Sequence, residues 1–486
     1  MNSPSVIAPA TYSTIMRWEK PAEPAPPRTL LAIGIAGAAG AIALPDTPSG
    51  IGYLVVALVC AGSAWMVMGR LRLWTVVWGV LALALVAMTA FRDADWLSYM
   101  CMLGALAAAS LAVAGGRSLW GMLLGSVSVA LGSVLALPWV IRGLSALSGR
   151  TTKKTVRLVK SILVSLVLLA VFVPLLAGAD AAFARLLENI VPTMDEDSAI
   201  RWIVLFTVVA VGTAGVSLVI TAPPELPDDE RPPSRLSVME WALPVGILVL
   251  LFAAFAAVQF TALFGGVEYV LNTAEVEFAE YARSGFWQLL AVTLLTLVVV
   301  AAVVRWAPRR TSVDRAWLRG LLGALSLLVL VIVASALSRM WTYQEAYGFT
   351  VLRLSVEAFE LWLGLVYVMV IVAGVRLEAR WLPRAIVGSA LSGLLVFAVL
   401  NPERLIAEHN VARYQETQKI DVDYLSRLGA DAAPVLAALP PEHRACALVG
   451  AGFQMQDDDS WQSWNVSRAT ALPIVLANRG HCRQNP

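Results

Sequence analysis

The sequence predicts an all-α fold: a polytopic bundle of transmembrane helices with about 11 spans, or 12 on a second count, and a small helical extramembrane domain at the C-terminus. Three observations predict it. The 486 residues are 58% hydrophobic and only 14% charged, where a soluble domain carries about 25% charged residues. Mean hydropathy is +0.73, and runs of about 18 or more residues with few or no charges recur along the chain, the length a bilayer demands of a helix. Many of the 17 tryptophans, among them Trp202, Trp241, Trp287, Trp306, Trp317, Trp341 and Trp381, stand at the ends of those runs, as in an interfacial aromatic belt.

Taken in order, residues 1–28 are polar and proline-rich, without the apolar core of a secretory signal, and are expected to form a disordered lead-in. Apolar runs follow at 29–44, 51–68, 73–91, 96–115, 119–141, 161–178, 202–221, 241–264, 286–307, 317–338, 350–374 and 385–400. Small residues crowd the first, a composition that suits close helix contact in lipid. Residues 29–400 thus read as the bundle and 401–486 as an extracytoplasmic helical tail.

Orientation follows from Lys and Arg in short loops. The segment from Arg142 to Lys160 holds six basic residues and no acid, and Arg305–Arg319 and Arg376–Arg384 are also basic. The alternating loops carry Asp180, Glu188 and Asp195, then Glu268, Glu275, Glu277 and Glu280. Basic loops are therefore assigned to the cytoplasm, and the tail after Pro402 to the outside. Arg70 and Arg72 also look cytoplasmic, yet three runs separate them from Arg142, and an odd number of crossings cannot return the chain to one side. The expectation is that 119–141, rich in Gly121, Gly125, Ser126, Ser128, Gly132 and Ser133, lies in or against the membrane without crossing; if it crosses, the spans number twelve. Between the runs, Gly265-Gly266 should break a helix, and Glu277–Phe286 should lie along the outer surface as an amphipathic helix.

The stretch Ser335–Trp362 places charges where apolar runs should have none: Arg339, Glu345, Arg353, Glu357 and Glu360, with Tyr347 between them. Arg353, Glu357 and Glu360 follow helical spacing and share one face. A carboxylate near mid-bilayer costs about 2.5–3.5 kcal/mol on insertion scales, so it should face protein, water or a cation. Two readings remain open: a proton or substrate path through Glu357 and Glu360, with Arg353 and Arg339 as counter-charges, or an ion-paired network that fixes the helical hairpin. Glu360 lies seven residues from Arg353 and must find a partner elsewhere, whereas Glu357 is one turn away and can pair with it.

No phosphate-binding loop, nucleophile–base set or calcium-loop spacing is present, so no catalytic residue or cofactor is assigned. The histidines, His409, His443 and His481, all lie in the tail without ligand spacing, and no metal site is assigned. The basic cluster is a positive-inside loop, which argues against nucleic-acid binding. Cys446 and Cys482 are the two tail cysteines, and an exported compartment would oxidise them to a disulfide. Asn465-Val466-Ser467 matches a glycosylation sequon by chance.

The patch, Gln259…Phe264-Gly265-Gly266, Ala279–Phe286, Ile406–Asn410 with Arg413, Asp423-Tyr424-Leu425, Asp431–Pro434 and Trp461–Arg468 together resemble a bacterial multi-pass family catalogued as domain of unknown function 4173, related to 4153. The resemblance is sharp over about 235–470; it implies a bacterial cytoplasmic-membrane protein and brings no activity, substrate or site residues. The sequence leans towards a sensor or assembly protein whose tail, with Trp461 and Trp464, meets a protein partner. The alternative is a secondary transporter that moves a small solute along the Glu357/Glu360/Arg353 patch. The bilayer is the one partner common to both.

Overall fold

Nine helices among the described residues are long and apolar enough to cross a bilayer. The computed structural model describes residues 18–19, 21–44, 49–69, 72–148, 199–227, 237–264, 286–309, 311–376, 379–453, 460–478 and 482, with positions 165, 168, 172, 176 and 180 between them. Expectations for the lead-in to residue 17, most of the run at 161–178, the loops from 149 to 164 and from 181 to 198, the 265–285 segment and His481 lie outside these. The described residues form helices and no β-strand.

The chain divides into two compact units. The first holds α1 (Pro27–Ala43), α2 (Ile51–Val67), most of α3 (Leu73–Phe91) and of α4 (Asp95–Ala114), α5 (Leu119–Ser148) and α6 (Ala199–Thr221). Helices α1 and α2 have 17 residues each, about 26 Å, short of the roughly 30 Å hydrocarbon core. The small residues of α1 serve close packing: a Cβ at Gly37 would meet the Phe206 ring at 2.8 Å, and one at Gly40 would meet Val209 at 2.5 Å.

Helix α5 contains the run expected to lie in or against the membrane without crossing. It runs unbroken for 30 residues through Pro138, about 45 Å, and qualifies as a span by length and composition. Its glycines and serines have a packing reason instead. A Cβ at Gly215 of α6 would run into Ser133 Oγ and meet the Val129 carbonyl at 2.7 Å, so the two backbones approach as small-residue interfaces in lipid do. The serine hydroxyls, part of the composition that suggested a non-crossing segment, are absorbed within the helix: Ser128 Oγ donates to the Leu124 carbonyl at 2.7 Å and Ser133 Oγ to the Val129 carbonyl at 2.9 Å.

The second unit holds α7 (Val238–Phe264), α8 (Phe286–Trp306), α9 (Ser312–Tyr347), α10 (Val351–Arg376) and α11 (Leu382–Val399). Trp241, Phe252, Leu289, Val300, Leu325, Val329 and Ile332 form its core. Trp241 is therefore no belt residue: it is 3% exposed, whereas Trp202, Trp287, Trp306, Trp317 and Trp341 stay outward. Outer faces of the spans carry Leu250, Leu295, Val298 and Leu352, the apolar surface that lipid contact needs.

Helix α9 begins with a capping box, Thr311 and Asp314 each accepting the other's backbone N–H. It ends at Gly348, whose φ of 86° favours glycine; a Cβ there would also meet Asn410 Oδ1 at 2.5 Å. Arg413 then donates to the Glu345 carbonyl at 3.1 Å and the Ala346 carbonyl at 2.6 Å, placing a cation on the last carbonyls of the helix. Asn410 closes the turn through both Phe349 backbone groups, at 3.1 and 2.9 Å.

Those two residues belong to α12 (Pro402–Thr417), the first tail helix, followed by α13 (Val422–Leu425), α14 (Ala433–Leu436), α15 (Pro441–Ala447), α16 (Val449–Phe453) and α17 (Val466–Ala477). Ile406, Leu425, Leu428, Leu436, Leu439 and Leu448 make the tail's core, and Phe349, Val351 and Leu354 pack into it. The compositional break at residue 400 is thus not the edge of a separate body. Cys446 and Cys482 are joined by a disulfide, with Cα atoms 4.7 Å apart.

Candidate functional site

The intramembrane patch sits where α9 turns into α10. Arg353 does not meet Glu357. Its Nη1 donates to the Gly348 carbonyl at 2.6 Å, and its guanidinium lies 4.4 Å from the centre of the Tyr343 ring, a cation–π contact. Glu357 Oε2 accepts from Gln344 Nε2 at 2.9 Å, a neutral partner, and Gln344 is itself fully buried. Glu345 is held at the surface by Trp341 Nε1 at 2.8 Å. Tyr347 is exposed and stacks 4.8 Å from Tyr343. Arg339 Nη2 donates at 2.9 Å to Gln259 Oε1, which also accepts from Ser335 at 3.0 Å.

Glu360 remains. It is 0% exposed, about 14 Å along α10 from Val351 at 1.5 Å per residue. Neither carboxylate oxygen has a hydrogen-bond partner among the described residues. Buried polar atoms are almost always paired, and one that is not points to a proton, an ion, water or a functional role. Leaving an ionised carboxylate unpaired there is far costlier than leaving a protonated one. The six predicted residues therefore share one region, and the contacts of Arg353, Glu357 and Glu360 are with a carbonyl, an aromatic ring and a neutral amide, or, for Glu360, with none among the described residues.

A second constellation was not singled out from sequence. Asp93, between α3 and α4, accepts from Arg468 Nη1 at 2.7 Å and from the Ala430 backbone N–H at 3.3 Å. Asp431 answers it, accepting from the Asp93 N–H at 2.6 Å and from Ser467 Oγ at 2.6 Å, with Arg92 Nη1 at 3.8 Å. Arg92 also donates to the Ala398 carbonyl at 2.8 Å. Glu403 accepts from the Gly429 N–H at 2.8 Å and from Trp96 Nε1 at 3.2 Å. Asn465 is buried here and caps α17, accepting from the Ser467 N–H at 2.9 Å while its Nδ2 donates to the Arg92 carbonyl at 2.8 Å; the sequon is a helix cap. Three buried carboxylates face two guanidiniums, Arg468 buried and Arg92 partly exposed. Burial outweighs Arg468 and pushes the Asp93 carboxyl up to about 6; burial, then Asp431, push Glu403 up to about 7.

The family model described as a domain of unknown function (DUF4153) matches residues 79–439. The chain belongs to this family. The match covers both the patch of this DUF4153 protein and most of the second cluster, Arg468 and Ser467 lying past its end. No curated protein and no solved structure matches the chain.

Among the described residues no group of three or more His, Cys, Asp or Glu is gathered to hold a metal ion. His409 stacks 4.4 Å from Phe349, and His443 meets Tyr414 edge-on at 5.5 Å. The sequence signal for the second cluster is faint: Arg92-Asp93-Ala94-Asp95 is a short charged loop between apolar runs, and nothing in its spacing names a partner 338 residues away.

Proposed function

We propose that this DUF4153 protein is a secondary transporter in which Glu360 binds and releases a proton as a small solute crosses the bundle. The observation that carries the reading is the fully buried carboxylate with no partner among the described residues, deep in a span; ionisable groups so placed serve proton and ion pathways by default. Glu357 lies one turn nearer the helix start, on the same face, and with Gln344 forms the polar approach to it. The protein sits in a bacterial cytoplasmic membrane with the basic loops inside and the tail outside, its cysteines oxidised there. Relation to the 4173 group rests on the tail and patch motifs alone.

Proteoliposomes loaded with a pH-sensitive dye test this. Under an inward proton gradient, pools of metabolites sorted by chemical class are added outside. At least one pool should hasten acidification of the lumen in wild type and not in Glu360→Gln. If no pool does so, or if Glu360→Gln behaves as wild type, the reading fails.

A second reading, a sensor or assembly protein, is favoured by Trp461 and Trp464, which expose 52% and 50% of their surface; aromatic residues of this kind anchor protein contacts. Cross-linking from Trp464 to a single protein in native membranes would support it.

A further inference from the structure

Within the second unit, helix α12 carries a buried acid near its start and holds the α9–α10 turn further along. Glu403 and Asn410 lie seven residues apart on one face of that helix, about 10 Å along its axis. Asn410 bonds both backbone groups of Phe349, and Arg413 bonds the last carbonyls of α9. We propose that Glu403 is a proton-operated latch. With a proton on it, α12 stays seated and grips the α9–α10 turn; without one, α12 lifts and the grip is lost.

Glu403 is the odd charge of its cluster. Asp93 has Arg468 at 2.7 Å and Asp431 has Arg92 at 3.8 Å. Glu403, 5% exposed, accepts instead from two neutral donors, the Gly429 backbone N–H and the Trp96 indole. Around it stand Asp431 from the turn before α14, Asp93 and Arg92 from the α3–α4 loop with Asp95 beyond, and Arg468 of α17. Tyr424 of α13 also faces it, with Arg353 of α10 behind. Three ionised carboxylates against two guanidiniums leave one net negative charge buried, and a proton on Glu403 removes it. Burial and then Asp431 hold its carboxyl at about 7, so that proton comes and goes near neutral pH.

The chain has a joint for this movement. Leu400 and Asn401 alone connect α11 to α12. Asn401 holds a φ of 59°, a conformation that persists while its surroundings impose it, so α12 can turn there. At the other end the grip rests on two amides. The Phe349 N–H donates to Asn410 Oδ1 at 3.1 Å, and the Val351 N–H to Tyr424 Oη at 2.7 Å. Both acceptors belong to the tail, so a tail that lifts gives these amides to water. The latch does not require Glu360 to carry a proton.

Hydrogen exchange of the full-length, detergent-purified protein, read by mass spectrometry and corrected for the intrinsic pH dependence of amide exchange, tests the latch. Between pH 5 and pH 8, protection of the wild-type peptide covering Phe349 and Val351 should fall about tenfold or more, while peptides within α8 keep theirs. Glu403→Gln, which is neutral at every pH, should stay protected at pH 8. Trp96→Phe removes a donor to the carboxylate and should move the fall to higher pH; it carries the test should Glu403→Gln fail to fold. The proposal is overturned by wild-type protection that does not change with pH, or by a loss spread equally over all peptides. Glu403→Gln that loosens as wild type does, or a Trp96→Phe fall at the wild-type pH, overturns it as well.

Discussion

Two groups of buried carboxylates in one unit meet their burial in opposite ways. Asp93, Asp431 and Glu403 are wrapped in donors: two guanidiniums, a hydroxyl, an indole N–H and backbone N–H groups. Glu360 has none among the described residues. A carboxylate wrapped in donors does structural work, and removing its partners should be severe. A bare one contributes nothing to holding the fold, and its removal should be silent in stability and loud in function. Each experiment below can break or sharpen that contrast.

The largest effect should come from Arg468→Met, which leaves Asp93 buried beside Asp431 with its close cation gone. Breaking a buried pair costs about 3–5 kcal/mol. The tail should become sensitive to limited proteolysis, and thermal unfolding in detergent should start earlier. A variant as resistant as wild type would show that the cluster holds nothing.

Reduction should come next. Opening the Cys446–Cys482 link, whose cysteines are 36 positions apart, should cost about 3–4 kcal/mol on the chain-entropy model. Alkylation and mass spectrometry of non-reduced protein should find both thiols blocked, and a reductant should lower the unfolding temperature.

The pH dependence is smaller and has a definite sign. The folded carboxyls of Asp93 and Glu403 sit at about 6 and about 7, above their ordinary values of 3.8 and 4.5. The folded state therefore binds protons more tightly than the unfolded one. This contribution is full below about pH 4 and is lost as pH rises through 6 to 7. Unfolding temperature measured from pH 5 to 8 should fall across that window, and Glu403→Gln should flatten the fall. A rise with pH would mean that donor contacts outweigh burial.

Smallest in stability should be the two patch acids. Glu360→Gln should leave the unfolding temperature unchanged or raise it slightly, since an unpaired buried acid is replaced by a neutral amide. Glu357→Gln should cost no more than about 1 kcal/mol, because its partner Gln344 can still bond an amide. A severe loss in Glu360→Gln would place this residue with the structural carboxylates.

Much of this was legible in the sequence because lipid simplifies the reading. Within a bilayer the backbone has to satisfy itself, so long apolar runs declare helices; nine such helices are found among the described residues. Glu360 was legible for the same reason, as a charge in the wrong solvent. Pairing was not. Arg353 and Glu357 have ideal spacing for an ion pair, yet the turn at Gly348 leaves a carbonyl and the Tyr343 ring closer to the guanidinium. The glycines and serines of α5 read as a segment lying in or against the membrane without crossing, because sequence does not say that α6 would come within backbone reach. The Asp93 cluster could not be assembled for want of any local pattern: its members come from four distant stretches, around Asp93, Glu403, Asp431 and Arg468.

That last feature bears on how the protein is made. Asp93 leaves the ribosome 338 residues before Asp431, whose side chain takes its N–H, and still longer before Arg468. At about 5–20 residues per second, the loop at Asp93 waits roughly 17–70 s, already inserted, before its counterpart exists. Any chain truncated before Arg468 lacks the guanidinium that pairs with Asp93. Synthesis past Arg468 therefore completes this corner: a chain cut short of it should be more open to limited proteolysis at the Arg92–Asp95 loop than the full-length protein.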